Sequence, residues 1–250
     1  MGPEIQGLPV PAGPDRPRRQ QNGNGRRRRQ THGPRPLEEK DAYLKRIGIF
    51  GGTFDPIHLG HLAAAQASLE DLRLEKVIFV PAGRPPHKCR RRLTGSGHRL
   101  AMVRLAIRGN RGFHLSPAEA DSRQTSFTAN TLKTIGDELG RCRLHLLIGM
   151  DQALQLDSWK HPEQIFSLAE VDVLTRPGYR ADGIPRHWRD MVKLVAVPGL
   201  DISSSFVRRM AGAGRSIRYL VPGPVADYVR ARGLYRRPRP QAGRTDGRQG

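Results

Sequence analysis

The chain has 250 residues, 37% of them hydrophobic, and 43 Lys and Arg against 23 Asp and Glu give it a formal charge of +20. That length can bury one sizeable core, or at most two, while its longest apolar runs, such as Val77–Pro81 and Leu144–Ile148, are too short to span a bilayer. With no apolar leader and only Cys89 and Cys142 as thiols, neither a secretory signal nor a disulfide framework is expected, nothing suggests a zinc site, and a reduced, cytoplasmic protein is expected.

The charge is concentrated at the two ends. Residues 1–36 carry eight Arg against Glu4 and Asp15, and 236–250 carry five Arg against Asp246. Both ends are rich in Pro, Gly and Gln and poor in large apolar groups, so they cannot offset the entropy of ordering. The sequence therefore predicts a disordered extension over 1–44, one domain over 45–235 and a disordered basic tail over 236–250. Arg26–Arg29 could touch nucleic acid, but no aromatic side chains interleave for base stacking, which favours a solvated tail.

Within the domain, Arg46–Gly52 reads as a buried strand ending in a glycine turn. Asp55 and Pro56 predict the cap and first position of a helix over 57–74. Val77–Pro81 is a second strand, followed by a polar loop over 82–97 and a helix near 98–108. Phe113–Ser116 and Arg143–Gly149 read as further strands, with a helix over 127–140 between them. Short helices are expected at 151–156 and 162–168, strands at 171–175 and 192–197, and amphipathic helices at 204–213 and 221–231. Strands apolar on both faces, alternating with helices, predict a doubly wound α/β fold: a Rossmann-like parallel sheet with helices on both faces and a helical C-terminal cap.

The first strand-turn-helix carries Gly51-Gly52-Thr53-Phe54-Asp55-Pro56-Ile57-His58-Leu59-Gly60-His61. Glycines let backbone N–H groups approach a ligand, and the helix start behind them suits a phosphate. His58 and His61 are three apart and share a helical face, and a side chain at Gly60 would obstruct their approach to one anion. As an isolated pair they could be surface residues. Directly after a strand and a Gly-Gly turn they point to phosphate handling. Farther on, Ile202-Ser203-Ser204-Ser205-Phe206-Val207-Arg208 starts a helix that Ser204 can cap, with Arg208 one turn along as a clamp for β- and γ-phosphates. Trp159, in the polar stretch Asp157–Lys160, is either a platform for a flat ring or a half-buried packing residue. His114, His145, His161 and Trp188 read as packing or surface residues, and Cys89 as no nucleophile.

Gly51–His61 resembles the signature of the His-x-Gly-His nucleotidyltransferase superfamily, and Ile202–Arg208 resembles its second signature. Pro85-Pro86-His87-Lys88, Ser126–Leu132, Ile148–Asp151, Trp159, Arg176-Pro177-Gly178 and the ending Tyr219–Tyr235 stand in the order seen in bacterial nicotinate mononucleotide adenylyltransferases. The resemblance implies that ATP is gripped by Gly51, Gly52, Thr53, Phe54, Gly149, Asp151, Ile202, Ser203 and Ser204. It makes His58, His61 and Arg208 the catalytic set and involves no covalent intermediate. Lys88, Thr128, Trp159 and Arg176 would bind nicotinate mononucleotide, with Trp159 stacking on the pyridine ring and Thr128 near its carboxylate. Mg2+ would enter through the ATP phosphates, with no protein carboxylate dedicated to it. Met150 and Asn130 depart from the family pattern. A sister transferase with another acceptor, such as nicotinamide mononucleotide or phosphopantetheine, and a nucleic-acid-binding protein using its arginine-rich ends, remain the alternatives.

Overall fold

A computed structural model describes residues 44–83, 93–119, 127–175 and 181–236. Its centre is six short strands rich in apolar side chains: β1 (Lys45–Gly52), β2 (Lys76–Pro81), β3 (Phe113–Leu115), β4 (Cys142–Gly149), β5 (Glu170–Thr175) and β6 (Val192–Ala196). All pair in parallel, in the order β3-β2-β1-β4-β5-β6. Parallel neighbours need crossovers, and helices supply them: α1 (Leu59–Asp71), α2 (Ser96–Ile107), α3 (Thr128–Leu139), α4 (Met150–Ala153), α5 (Pro162–Leu168) and α6 (Arg186–Arg189); α7 (Ser204–Gly212) and α8 (Gly223–Ala231) follow the last strand.

The side chains of each strand alternate between two cores, as a pleated backbone requires. Phe50, Phe79, Leu147, Leu174 and Val195 face one cluster, with Ala65, Met102, Val207 and Val225 from α1, α2, α7 and α8. Ile49, Ile78, Leu146, Ile148 and Val173 face the other, with Leu132 and Ile135 from α3 and Ile165 from α5. The expected doubly wound fold is therefore present, and α7 and α8 form the C-terminal cap. The described helices and strands follow the sequence reading closely. The helix expected over 57–74 runs from Leu59 to Asp71, because residues 53–58 form a separate bend; the one expected over 151–156 is α-helical only over Met150–Ala153, and α6 was not expected. Gly140 stops α3, at a φ of 71° that a residue with a Cβ adopts only at a cost.

Strand order reverses direction between β1 and β4, the point at which an open parallel sheet leaves a crevice beyond its strand ends. The glycine bend lies there, at the carboxyl end of β1. Toward the other end of the sheet, on the face of the first core, a polar group is buried. His145 and Asp172 are both fully enclosed, with Nδ1 and Oδ2 2.8 Å apart, and Arg46 Nε donates to His145 Nε2 at 3.2 Å. Nε2 accepts, so Nδ1 carries the proton that Asp172 receives. This accords with the expectation that His145 serves structure. His114 and His161 are exposed, and Trp188 is 7% exposed, stacked on Phe166 at 4.9 Å.

Candidate nucleotide site

A cleft of about 870 Å3 opens over the carboxyl ends of β1 and β4, a volume suited to a nucleotide-sized ligand. The glycine bend supplies one wall through Gly51, Gly52, Thr53, Phe54, His58 and His61. Gly149 and Asp151, at the end of β4 and the start of α4, supply another, with Trp159 beyond them. The third comes from Ile202, Ser203, Ser204 and Arg208 at the start of α7. Thirteen of the expected site residues thus converge from four separate stretches of sequence. Thr128 opens α3 and is not among the residues lining the cleft; its neighbour Phe127 lies under the Lys160 ammonium at 4.2 Å, which ties this end of α3 to the Trp159 segment. Lys88 and Arg176 lie outside the described residues.

The bend is strained and held from several sides. Phe54 has a φ of 46°, a left-handed conformation that costs a non-glycine residue about 1–3 kcal/mol. Its ring is 2% exposed and stands edge-on to Phe50 at 5.7 Å and to the His61 ring at 5.1 Å. A Cβ on Gly52 would come within 2.8 Å of the Phe54 ring, so the glycine is required for this packing. A Cβ on Gly51 would meet nothing within 4 Å, which leaves its face open to the cleft. The Asp55–Pro56 peptide is cis.

His58, not Asp55, is the N-cap of α1, with extended φ and ψ of −142° and 170°. The expected Asp55 cap fails because the carboxylate is turned inward, where it is 2% exposed and accepts a hydrogen bond from the Thr94 N–H at 3.3 Å. The two imidazoles stack, centroids 3.6 Å apart and planes 26° from parallel. His58 N–H donates to His61 Nδ1 at 3.2 Å. An Nδ1 that accepts leaves the ring proton of a neutral imidazole on Nε2, so His61 presents an N–H donor from its outer edge. A Cβ at Gly60 would sit 3.1 Å from His58 Nδ1 and 3.8 Å from the Ile202 carbonyl oxygen, which is the obstruction expected there.

At α7 the cap is also one residue away from the expectation. Ser203 Oγ accepts from the Phe206 N–H at 3.2 Å, whereas Ser204 Oγ donates to the Pro56 carbonyl at 2.8 Å. Ser204 therefore joins α7 to the bend instead of capping the helix. Arg208, half-buried on the next turn, donates through Nη1 to the Asp55 carbonyl and through Nη2 to Ser205 Oγ at 3.0 Å. The guanidinium thus stands beside the bend with its charge toward the cleft, as a clamp for phosphate oxygens requires.

Sequence reasoning missed Arg99. This side chain is 2% exposed on α2, and its guanidinium donates to three carbonyls: Thr53 at 3.0 Å, Gly83 at 3.1 Å and Thr94 at 3.0 Å. Burial lowers its pKa, and the nearby Asp55 carboxylate opposes that shift. An arginine inside an apolar helical stretch was the one available signal, since such a side chain must find acceptors or remain at the surface. Gln152 and Gln155, which also line the cleft, carried no signal.

Among the described residues, no three His, Cys, Asp or Glu side chains gather into a metal-holding group. Both oxygens of Asp55 are engaged within the fold, which leaves Asp151 as the exposed carboxylate of the cleft among the described residues. That donor set fits an ion carried in on a nucleotide rather than one caged by the protein.

A parallel sheet reversing at β1 and β4, a glycine bend with paired imidazoles and an arginine at a second helix start define a nucleotide-handling transferase of the dinucleotide-fold class. Residues 49–210 match the cytidylyltransferase-like family. The chain is 42% identical over 199 residues to the probable nicotinate-nucleotide adenylyltransferase of Thermomicrobium roseum, covering 77% of this chain and 92% of the relative. It is 39% identical over 203 residues to the protein of the same description from Desulfitobacterium hafniense, covering 78% and 98%. The fold is shared with the nicotinic acid mononucleotide adenylyltransferase of Plasmodium falciparum solved with NaAD, at a TM-score of 0.61 and 21% identity over 76% of this chain and 97% of that one. The chain belongs to the cytidylyltransferase-like family and, within it, to the nicotinate-nucleotide adenylyltransferases.

Proposed function

We propose that this chain transfers AMP from ATP to nicotinate mononucleotide, giving deamido-NAD and diphosphate, as a step of NAD biosynthesis in the cytoplasm. The observation that carries the reading is the stacked imidazole pair beside the glycine bend, with its proton fixed on His61 Nε2 by the His58 N–H. An oxygen of the acceptor's phosphate forms a bond to the α-phosphorus as the bond from that phosphorus to the bridging oxygen breaks, and diphosphate leaves with the electron pair. The attacking oxygen is already an anion, so no protein base has to remove a proton. What the reaction needs is alignment and positive charge where negative charge grows. His58 and His61 donate to the α-phosphate and the bridging oxygen, and Arg208 holds the leaving diphosphate.

Mg2+ brought in with ATP would supply neutralisation of triphosphate charge. Trp159 is half-buried in the cleft with its ring available for stacking on a flat pyridine, and Thr128, across the Phe127–Lys160 contact, serves the carboxylate side. Lys88 and Arg176 are assigned to the acceptor by family pattern alone. Residues 45–235 carry the activity, and the basic ends are dispensable for it. The test is a diphosphate-release assay with ATP and, in turn, nicotinate mononucleotide, its amide and phosphopantetheine, on the full chain and on residues 37–235. Turnover fastest with nicotinate mononucleotide in both supports the reading. Preference for phosphopantetheine refutes it, and loss of activity in 37–235 refutes the assignment of the ends.

A further inference from the structure

The bend is held by bonds from parts of the chain distant in sequence, Tyr235 among them. Tyr235 lies 180 residues from Asp55 in sequence, yet its hydroxyl donates to Asp55 Oδ1 at 2.8 Å, deep beneath the bend. The other oxygen of the same carboxylate accepts from the Thr94 N–H, and Arg99 grips the carbonyls of Thr94 and Thr53 on either side of it. The start of α1 is tied to the same region, since the Leu59 N–H donates to the Leu220 carbonyl at 3.0 Å. Two of these residues need outside support. Phe54 and Tyr235 have φ of 46° and 68°, conformations that a non-glycine residue keeps only when its surroundings hold it. Tyr235 is not among the residues that line the cleft, so direct ligand contact does not explain its hydroxyl bond to Asp55.

We propose that Tyr235 and Arg99 are positioning residues for nucleotidyl transfer: acting through Asp55 and the 53–58 bend, they set the orientation of the His58 and His61 rings, and the turn after α8 is thereby a working part of the site. The chain of contacts is continuous. The Tyr235 hydroxyl fixes the Asp55 carboxylate, the Asp55 backbone follows the left-handed Phe54, the Phe54 ring meets the His61 ring at 5.1 Å, and His61 stacks on His58. Arg99 restrains the other side of Phe54 through Thr53. An error of ~1 Å in such a site costs about 100-fold in rate, so small slackening is measurable.

The proposal rests on the transferase reading, and the experiment separates the two. Tyr235→Phe removes one oxygen and keeps the ring. Arg99→Lys keeps the charge but cannot span three carbonyls. On the full chain, each variant is assayed for kcat and KM with ATP and nicotinate mononucleotide, its melting temperature is recorded, and its histidine ring nitrogens are observed by long-range 1H–15N NMR. The expected result for Tyr235→Phe is a kcat at least tenfold lower, both KM values within threefold of wild type, a melting point within about 5 °C, and shifted ring-nitrogen signals for His58 and His61. Arg99→Lys gives the same pattern with a larger loss of melting temperature. Ring signals unchanged in Tyr235→Phe, or a kcat within twofold of wild type, overturn the proposal. If the wild-type chain shows no turnover with nicotinate mononucleotide, the substrate reading fails, and the ring signals still decide the positioning role.

Discussion

Replacing Gly60 by alanine should raise or preserve stability while lowering the rate, a combination that follows from where its missing Cβ would sit. Gly60 is the second residue of α1, and alanine in place of a helical glycine stabilises by up to ~1 kcal/mol. For a domain of this size that is an increase of about 2–4 °C in melting temperature. Against this, the new Cβ would lie 3.1 Å from His58 Nδ1 and 3.3 Å from Cε1. Ordinary contact starts near 3.4 Å, so the ring must shift by about 0.3 Å. Scaling from ~100-fold per ångström of misplacement gives a kcat lower by roughly 4-fold, with little change in KM for ATP. Differential scanning calorimetry and steady-state diphosphate release check both halves. A kcat within twofold of wild type would refute the view that the His58 ring is held to tenths of an ångström, and a melting point lowered by more than a few degrees would show that the site, not the ring, had given way.

His61→Ala is expected to abolish measurable turnover, since it removes the Nε2 donor, while circular dichroism stays native because one N-terminal helix contact is worth only about 1 kcal/mol. Trp159→Ala should raise KM for nicotinate mononucleotide roughly tenfold and leave KM for ATP within twofold, as base–aromatic stacking of ~1–3 kcal/mol implies. His145→Leu leaves Asp172 fully buried without the partner of Oδ2, and Oδ1 already has no hydrogen-bond partner; urea denaturation should show a loss of about 3–5 kcal/mol, mostly recovered in His145→Leu/Asp172→Leu. Burial, followed by the Asp55 carboxylate, raises the Tyr235 pKa well above its ordinary value, so the neutral phenol is favoured in the folded chain. The stability this gives is complete below pH ~10 and falls by about 1.4 kcal/mol per pH unit above it, as the unfolded chain ionises first. Tyr235→Phe should remove that component, read as a smaller difference in urea midpoint between pH 9 and pH 11.

The chain's alternation of strand and helix was legible because parallel strands buried on both faces must be written as continuous apolar runs. Val77–Pro81 and Leu144–Ile148 admit hardly another reading. The glycine bend and its histidines were legible because they are contiguous. What escaped was set by contacts distant in sequence. Asp55 next to proline has the local pattern of a helix cap, and only Thr94 and Tyr235, 39 and 180 residues away, turn its carboxylate inward. The serine run at 203–205 offers three equivalent hydroxyls. The one that caps is chosen by the Pro56 carbonyl, which takes Ser204 for a tertiary bond. The same holds for Arg99, whose three acceptors lie in two different loops, Thr53 in the bend and Gly83 and Thr94 between β2 and α2.

The distribution of hydrogen bonds around the bend fits the chemistry assigned to it. A reaction with an anionic nucleophile and no covalent intermediate gains little from a tuned base and much from donors held where charge will develop. Donors so held need a backbone that does not relax, and the bend is kept in its left-handed turn by bonds to its own carbonyls: Arg99 on Thr53, Arg208 on Asp55 and Ser204 on Pro56. Each of those three partners comes from a helix outside the bend, so the cap helices and α2 must be docked before the imidazoles are aligned. Arg208 joins the two requirements, because the guanidinium assigned to the leaving diphosphate is also one of the bonds that holds the bend. Its removal should therefore cost more than the loss of a phosphate contact alone, through the rings it no longer helps to fix.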